Sequence, residues 1–364
     1  METMIHFDSD YMRGGCPQVM ERLVATNMEQ TVGYGLDPYT RRAEELILQE
    51  CGIPQAKDTL SKDSSDGNGH PGGRVFLLVG GTQTNATVID GVLRRNQGVI
   101  AAESGHINVH EAGAIESGGH KVLALPCPDG KLSAAQVDTF IRDFYADETW
   151  PHMVAPGMVY ITQPTEFGGL YTREELKALH EVCAAHDIPL YIDGARLAYA
   201  LAASDITLQE MASLADIFYI GGTKCGALFG EAVVTRRPEL LPNFFTVIKQ
   251  HGALLSKGRL LGVQFEALFT DGLYKRLGAH AVRMAMMLRE VFLEKGYSLY
   301  MDSPTNQQFI LLPNEVIDDL GREVTFELWG PRRERITPVR FVTDWGTQEA
   351  DIRRLSELLP ANPL

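Results

Sequence analysis

The chain has 364 residues, enough for about two domains of ordinary size. A chain of this length buries roughly three quarters of its unfolded surface, so it needs no covalent or metal staple. With 33 basic against 47 acidic residues the net charge is -14. That argues against nonspecific binding to nucleic acid or to an anionic membrane, both of which need local positive charge, but leaves room for a small anion held by a few buried cations. Hydrophobic residues make up 45% and charged residues 22%, the ordinary balance of a globular protein. The five cysteines, Cys16, Cys51, Cys127, Cys183 and Cys225, are odd in number and form no CxxC. The pattern favours a reducing compartment over a disulfide framework or a zinc ribbon. The opening METMIHFDSD carries early acids and no apolar core of a signal peptide, and no run approaches 18 apolar residues. A cytoplasmic protein without a membrane span is expected.

In chain order, residues 57–74 form a polar, Gly- and Ser-rich stretch that reads as a surface connection. Seven short apolar runs follow: RVFLLVGG (74–81), GVIAAESG (98–105), KVLALPCPDG (121–130), PGMVYITQPT (156–165), IPLYIDGAR (188–196), DIFYIGGTK (216–224) and EAVVTRR (231–237). Helical patterns lie between them. In TREELKALHEVCAAHD (172–187), a threonine cap and two early glutamates precede Leu176, Leu179, Val182 and Cys183 at helical spacing. Alternating strands and helices predict an α/β fold, with a mainly parallel seven-stranded sheet covered on both faces. After about residue 250 a long helical stretch (257–296) leads to alternating segments and a last helical pattern, TQEADIRRLSELL. This predicts a large domain over 33–250 and a smaller α+β domain from 1–32 and 251–364.

Three places carry candidate chemistry. In IGGTKCGALFGEA (220–232) a buried run ends in two glycines, a threonine and Lys224. A lysine at a buried strand end is costly without a task, and Schiff-base formation is one, because desolvation lowers the amine pKa. The competing reading is a snorkelling surface lysine. Asp193 ends the uncharged run LYID, at the strand edge where open parallel sheets bind ligands; a helix cap is the alternative. In VGGTQTNATVIDGVL (79–93) a strand runs into Gly81, Thr82 and Gln83 and then an apolar helix pattern. Free N–H groups there would bind a phosphate, although the turn lacks both the Walker and the G-x-G-x-x-G patterns. Pyridoxal 5'-phosphate requires such parts: anion donors, a carboxylate for the ring nitrogen and a lysine for the aldehyde.

The segments HFDSD, GYGLDPYT (33–40), GGTQTN (80–85), ESGHINVHEAGA (103–114), ITQPTEFGGLYT (161–172), YIDGARLAYA (191–200), GGTKCGALFGEAVV (221–234), HGALLSKGRLLGVQFEALF (251–269) and PVRFVTDW occur in this order. The chain thereby resembles the low-specificity L-threonine aldolases of the β-eliminating lyase group, nearly end to end. The resemblance implies pyridoxal-phosphate fold type I. It implies that Lys224 bonds the cofactor, Asp193 holds the ring nitrogen, Gly81, Thr82 and Gln83 bind the phosphate, and His106 stacks on the ring. Arg196 and Arg340, with Ser9, match the groups near the substrate α-carboxylate, which an arginine fork suits. Tyr34 matches a tyrosine often lent by a neighbouring subunit. His152 matches a second active-site histidine by its spacing to the next strand; a solvent-facing loop histidine is the competing reading. Lys257 matches a lysine near the phosphate, with Arg259 as its partner. No metal is expected: the pair His106 and His110 in HINVHE lacks a third ligand.

The implied reaction is cleavage of L-threonine or L-allo-threonine to glycine and acetaldehyde, with His106, His152 or a water as base, in a homodimer or homotetramer with shared sites. A β-eliminating lyase or aminotransferase on the same cofactor, and a cofactor-free α/β binding protein, are the alternatives.

Overall fold

The computed structural model describes residues 4–56 and 72–362; most of the expected surface connection at 57–74 lies outside them. Strand β1 (Ile5–His6) comes first, then β2 (Arg74–Leu78), β3 (Gln97–Ala102), β4 (Lys121–Leu125), β5 (Ala155–Thr162), β6 (Leu190–Asp193), β7 (Ile217–Gly221) and β8 (Glu231–Thr235). Strands β2 to β8 form a seven-stranded sheet in the order β2-β8-β7-β6-β5-β3-β4. Strand β8 runs antiparallel to both neighbours, and the other pairs are parallel. The fold is thus mostly parallel, as the alternation predicts.

Side chains of a strand point alternately to its two faces. Ile100, Val159, Ile161, Ile192 and Phe218 face one core, with Leu176 and Leu179 of helix Arg173–Ala185. Val99, Met158, Tyr160, Tyr191 and Tyr219 face the other, with Val88 and Ile89 of helix Gly81–Val92. Because both faces are covered, the strands read as unbroken apolar runs rather than alternating ones.

Strands β9 (Ser298–Met301), β10 (Gln307–Pro313), β11 (Val324–Thr325), β12 (Glu327–Leu328) and β13 (Ile336–Val342) belong to the C-terminal part. Four of them form an antiparallel sheet, β12-β13-β10-β9, and β11 pairs with β1. Their core holds Phe292, Ile310, Val339, Phe341 and Leu355.

Two boundaries differ from the sequence reading. The long helical stretch is broken at Thr270–Gly272, where Asp271 (φ 51°) and Gly272 (φ 67°) adopt left-handed backbone that an α-helix cannot continue through. The apolar cores also divide the chain elsewhere than at residues 33 and 250. Cys16 and Val19 of the N-terminal segment, and Phe265 and Leu268 beyond residue 250, pack into the large-sheet core. Helix Leu273–Glu294 spans the division, with Tyr274 and Ala281 in the large core and Met284 and Leu288 in the small one. Among the described residues no helix is long and apolar enough to cross a membrane.

Candidate active site

Strands β6 and β7 are parallel neighbours, so the chain leaves both at one sheet edge. Their ends approach closely: the Gly221 N–H donates to the Gly194 carbonyl at 2.9 Å. Asp193 closes β6, and Lys224 follows β7 by three residues. Both line one cavity of about 170 Å³, together with Gly81, Thr82, His106, Glu166, Arg196 and Glu231.

Asp193 is buried and fixed from three sides. Its Oδ2 accepts from Asn85 Nδ2 at 2.9 Å and the Tyr160 hydroxyl at 2.7 Å, and its Oδ1 from the Ala195 N–H at 3.0 Å. Helix Gly81–Val92 starts where β2 ends, and its first intrahelical bond runs from the Thr84 N–H to the Gly80 carbonyl. The N–H groups of Gly81, Thr82 and Gln83 precede that bond and are available to an anion. The Gln83 side chain turns away, donating to the His251 carbonyl at 3.0 Å. Gln83 therefore contributes backbone to the turn, not its amide.

Lys224 is buried. Burial, then the Arg196 charge, pushes its amine below the usual lysine range, against the pull of Asp10, Asp193 and Glu231. A lowered pKa favours the neutral, nucleophilic amine. Arg196 is held by Asp10 through Nε at 2.6 Å and Nη2 at 3.0 Å, and Asn306 Nδ2 supports the same carboxylate at 2.9 Å. Arg340 approaches from β13, bonded to Gln307 at 2.8 Å and to Glu327, with its guanidinium 5.1 Å from the Trp329 ring centroid. Burial and then Arg196 lower the Arg340 pKa, so the two cations lie within electrostatic reach. Ser9 Oγ and Arg340 Nε are buried without a partner. Two mostly buried cations and two orphaned polar atoms, beside a carboxylate and a helix N-terminus, fit an anionic cofactor and an anionic substrate.

His106 stands at the cavity with about a third of its side chain exposed (34%), and its Nδ1 lies 2.8 Å from Glu111 Oε1. His110 packs beside it, ring centroids 5.6 Å apart. Among the described residues no three His, Cys, Asp or Glu side chains gather as a metal site.

Of the expected site residues, Gln83, Ser9 and Arg340 flank this cavity without lining it, and His152, Tyr34 and Lys257 lie away from it. His152 ends the exposed turn Trp150–His152 before β5, and the adjacent Ala155 pairs with Gln97 at the start of β3. It therefore sits at the opposite sheet edge, roughly 25 Å away by the rise of β5. Spacing along the chain fixed its distance from a strand but not which end of the sheet it occupies. Tyr34 is exposed, with Lys249 Nζ 4.7 Å from its ring centroid, and lines a separate cavity beside Phe76 and Leu254. Lys257 is exposed in the neighbouring turn, where the Tyr34 N–H donates to the Ser256 carbonyl at 3.1 Å. Arg259 is occupied elsewhere, donating to the carbonyls of Thr26 and Glu29.

The sequence reading missed several residues of the site. Asp10 orients Arg196. Glu166 accepts the His106 N–H at 2.9 Å, and burial pushes its carboxyl up to about 7. Glu231 accepts from the Thr223 hydroxyl at 2.7 Å and the Gly222 N–H at 3.1 Å, and burial lifts it to about 8. The one available signal was that Asp10, Glu166 and Glu231 fall inside the quoted segments HFDSD, ITQPTEFGGLYT and GGTKCGALFGEAVV.

Fold and site together define a pyridoxal-phosphate enzyme of fold type I. The chain belongs to the Beta-eliminating lyase family, whose profile matches residues 6–309. It is 30% identical to the low specificity L-threonine aldolase of Pseudomonas sp. (strain NCIMB 10558) over 363 residues, covering 96% of this chain and 95% of that protein. The solved threonine aldolase of Leishmania major superimposes with a TM-score of 0.89 at 38% identity, over 97% of this chain and 98% of that one. Aspartate aminotransferase from Thermus thermophilus shares the fold alone, with a TM-score of 0.66 and 16% identity over 98% of this chain and 91% of that one.

Proposed function

We propose that this protein is a pyridoxal-phosphate aldolase that cleaves L-threonine and L-allo-threonine to glycine and acetaldehyde. The observation that carries the reading is the shared cavity of Lys224 and Asp193, lined also by Arg196 and by the helix N-terminus at Gly81 and Thr82. When bound, the cofactor supplies an electron sink for the charge left on Cα as the Cα–Cβ bond breaks. Lys224 would hold its aldehyde, Asp193 its ring nitrogen, and the N–H groups of Gly81, Thr82 and Gln83 its phosphate. Arg196 and Arg340, with Ser9, would bind the substrate α-carboxylate and so fix the orientation of the amino acid. His106 takes the proton of the β-hydroxyl. Threonine and allo-threonine differ only in where a methyl and a hydroxyl sit, a difference worth ~1–3 kcal/mol, so loose β-carbon specificity is expected.

Incubation with L-threonine tests the reading. Glycine with acetaldehyde supports it, whereas 2-oxobutyrate assigns a β-eliminating lyase instead. The substrate is a small amino acid, and a cytoplasmic location suits the five cysteines, which are buried free thiols.

The site is best completed by a second copy of the chain. Tyr34 and Lys257 lie together, away from their own cavity, on a surface where Val24 (72%), Met28 (89%) and Val32 (64%) are left exposed. Sedimentation should show a dimer or tetramer. Val24→Asp with Met28→Asp should weaken assembly and cofactor retention together. A monomeric, fully active wild type would refute the shared site.

A further inference from the structure

The base assigned to His106 rests on an arrangement of buried groups that neither the family match nor the proposed reaction requires. Glu111 Oε1 takes two contacts, His106 Nδ1 at 2.8 Å and Asn85 Nδ2 at 2.7 Å. The same Asn85 nitrogen donates to Asp193 Oδ2 at 2.9 Å. The Tyr191 hydroxyl meets Asn85 Oδ1 at 2.8 Å. Asn85 and the Glu111 side chain are fully buried.

This arrangement admits one orientation of the amide. Turned over, the fully buried Asn85 would aim its carbonyl oxygen at two carboxyl groups, acceptor against acceptor. Its NH2 therefore faces Glu111 and Asp193. Glu111 Oε1 is then an acceptor already, and the His106 contact is satisfied by a second donor, Nδ1–H. The imidazole is left with Nε2 unprotonated. Among the described residues Nε2 has no hydrogen-bond partner, and His106 lines the cavity.

We propose that Glu111 is a positioning residue that fixes His106 as the Nδ1–H tautomer, so that Nε2 is the proton-accepting atom, and that Asn85 locks Glu111 to the partner of the cofactor ring nitrogen, Asp193. The inference rests on the aldolase reading only for the identity of the proton that Nε2 receives. A buried carboxylate behind an imidazole sets its tautomer and stabilises the imidazolium formed on protonation. The other groups facing His106 work differently. His110 packs beside the ring and Lys224 lines the same cavity. Glu166 binds the main-chain N–H rather than the ring, and Asp193 acts through Asn85. Glu327 and Arg340 reach His110 from the second sheet.

The test is a nitrogen-15 spectrum of holoenzyme labelled at histidine, with the His106 signals assigned by their loss in His106→Gln. The expected result is a neutral ring with the proton on Nδ1. In Glu111→Gln the amide oxygen can still accept that proton but the charge is gone. In that variant kcat should fall about 10- to 100-fold with KM little changed. A proton on Nε2 in the wild type, or an unchanged kcat in Glu111→Gln, overturns the proposal. The wild-type tautomer needs only the His106→Gln assignment, so a poorly folding Glu111→Gln leaves the claim open to refutation. It also needs no substrate: failure to cleave threonine would remove the aldolase reading without touching the tautomer.

Discussion

A β-carbon added at Gly194 would lie 2.0 Å from the Tyr219 carbonyl oxygen, and one at Gly221 would lie 2.3 Å from that of Ala195. Both obstacles are backbone of an adjoining segment, so no rotamer change can relieve them. These two glycines let the ends of β6 and β7 close on each other, which places Asp193 and Lys224 in one cavity. Gly221→Ala should therefore cost about 1–3 kcal/mol of stability and weaken pyridoxal-phosphate binding in parallel. Denaturant unfolding of the apoprotein and a cofactor titration would read the two effects. Stability lost with cofactor affinity intact would show that the glycine serves packing only. Lys224→Ala, by contrast, should keep the fold by circular dichroism and lose both the visible absorbance of the attached cofactor and turnover. Persistent attachment would assign another nucleophile.

The elements show which parts of the molecule a sequence can carry. Helix Arg173–Ala185 has the capping box its sequence announces: Thr172 Oγ accepts the Glu175 N–H at 3.2 Å, and Glu175 returns the bond to the Thr172 N–H at 2.8 Å. Thr172→Ala should lower stability by about 1 kcal/mol and leave KM unchanged, since neither residue lines the cavity; thermal melts and initial rates check this. Such signals are local, and so is the unbroken apolar run of a strand buried on both faces. That is why the seven strands, Asp193 and Lys224 were legible. The groups that orient the site are not local. Asp10 grips Arg196 from 186 residues away, and Asn85 meets Asp193 across 108. Nothing in the chain near Arg196 or Asp193 announces those partners. His152 shows the converse, a residue with a plausible interval to the next strand and the wrong end of the sheet. Tyr34 and Lys257 meet in one turn region away from the cavity, where the proposed second copy would give them a role.

At the scale of the whole molecule the buried acids set how stability responds to pH. Glu44, on the helix Pro38–Glu50, is 7% exposed and far along the chain from the catalytic loops. Burial first, and then the Asp37 charge, raises its carboxyl from 4.5 to about 8. Below pH 4.5 folded and unfolded chains both hold the proton. Between 4.5 and 8 the folded chain keeps a proton that the unfolded chain has released, so stability falls as pH rises. Above 8 both are ionised, and the full penalty of a buried charge remains. Glu166 and Glu231, raised to about 7 and about 8, act with the same sign. The Glu44 share is isolated by comparing Glu44→Gln with wild type, because every other group is common to both. The amide cannot ionise, so the stability advantage of the variant should grow from pH 5 to pH 8 at up to about 1.4 kcal/mol per pH unit and level off beyond. Urea unfolding of the two apoproteins across that range measures it. A difference that stays flat would mean that Glu44 ionises as easily in the fold as in water, through a route to solvent that its burial denies.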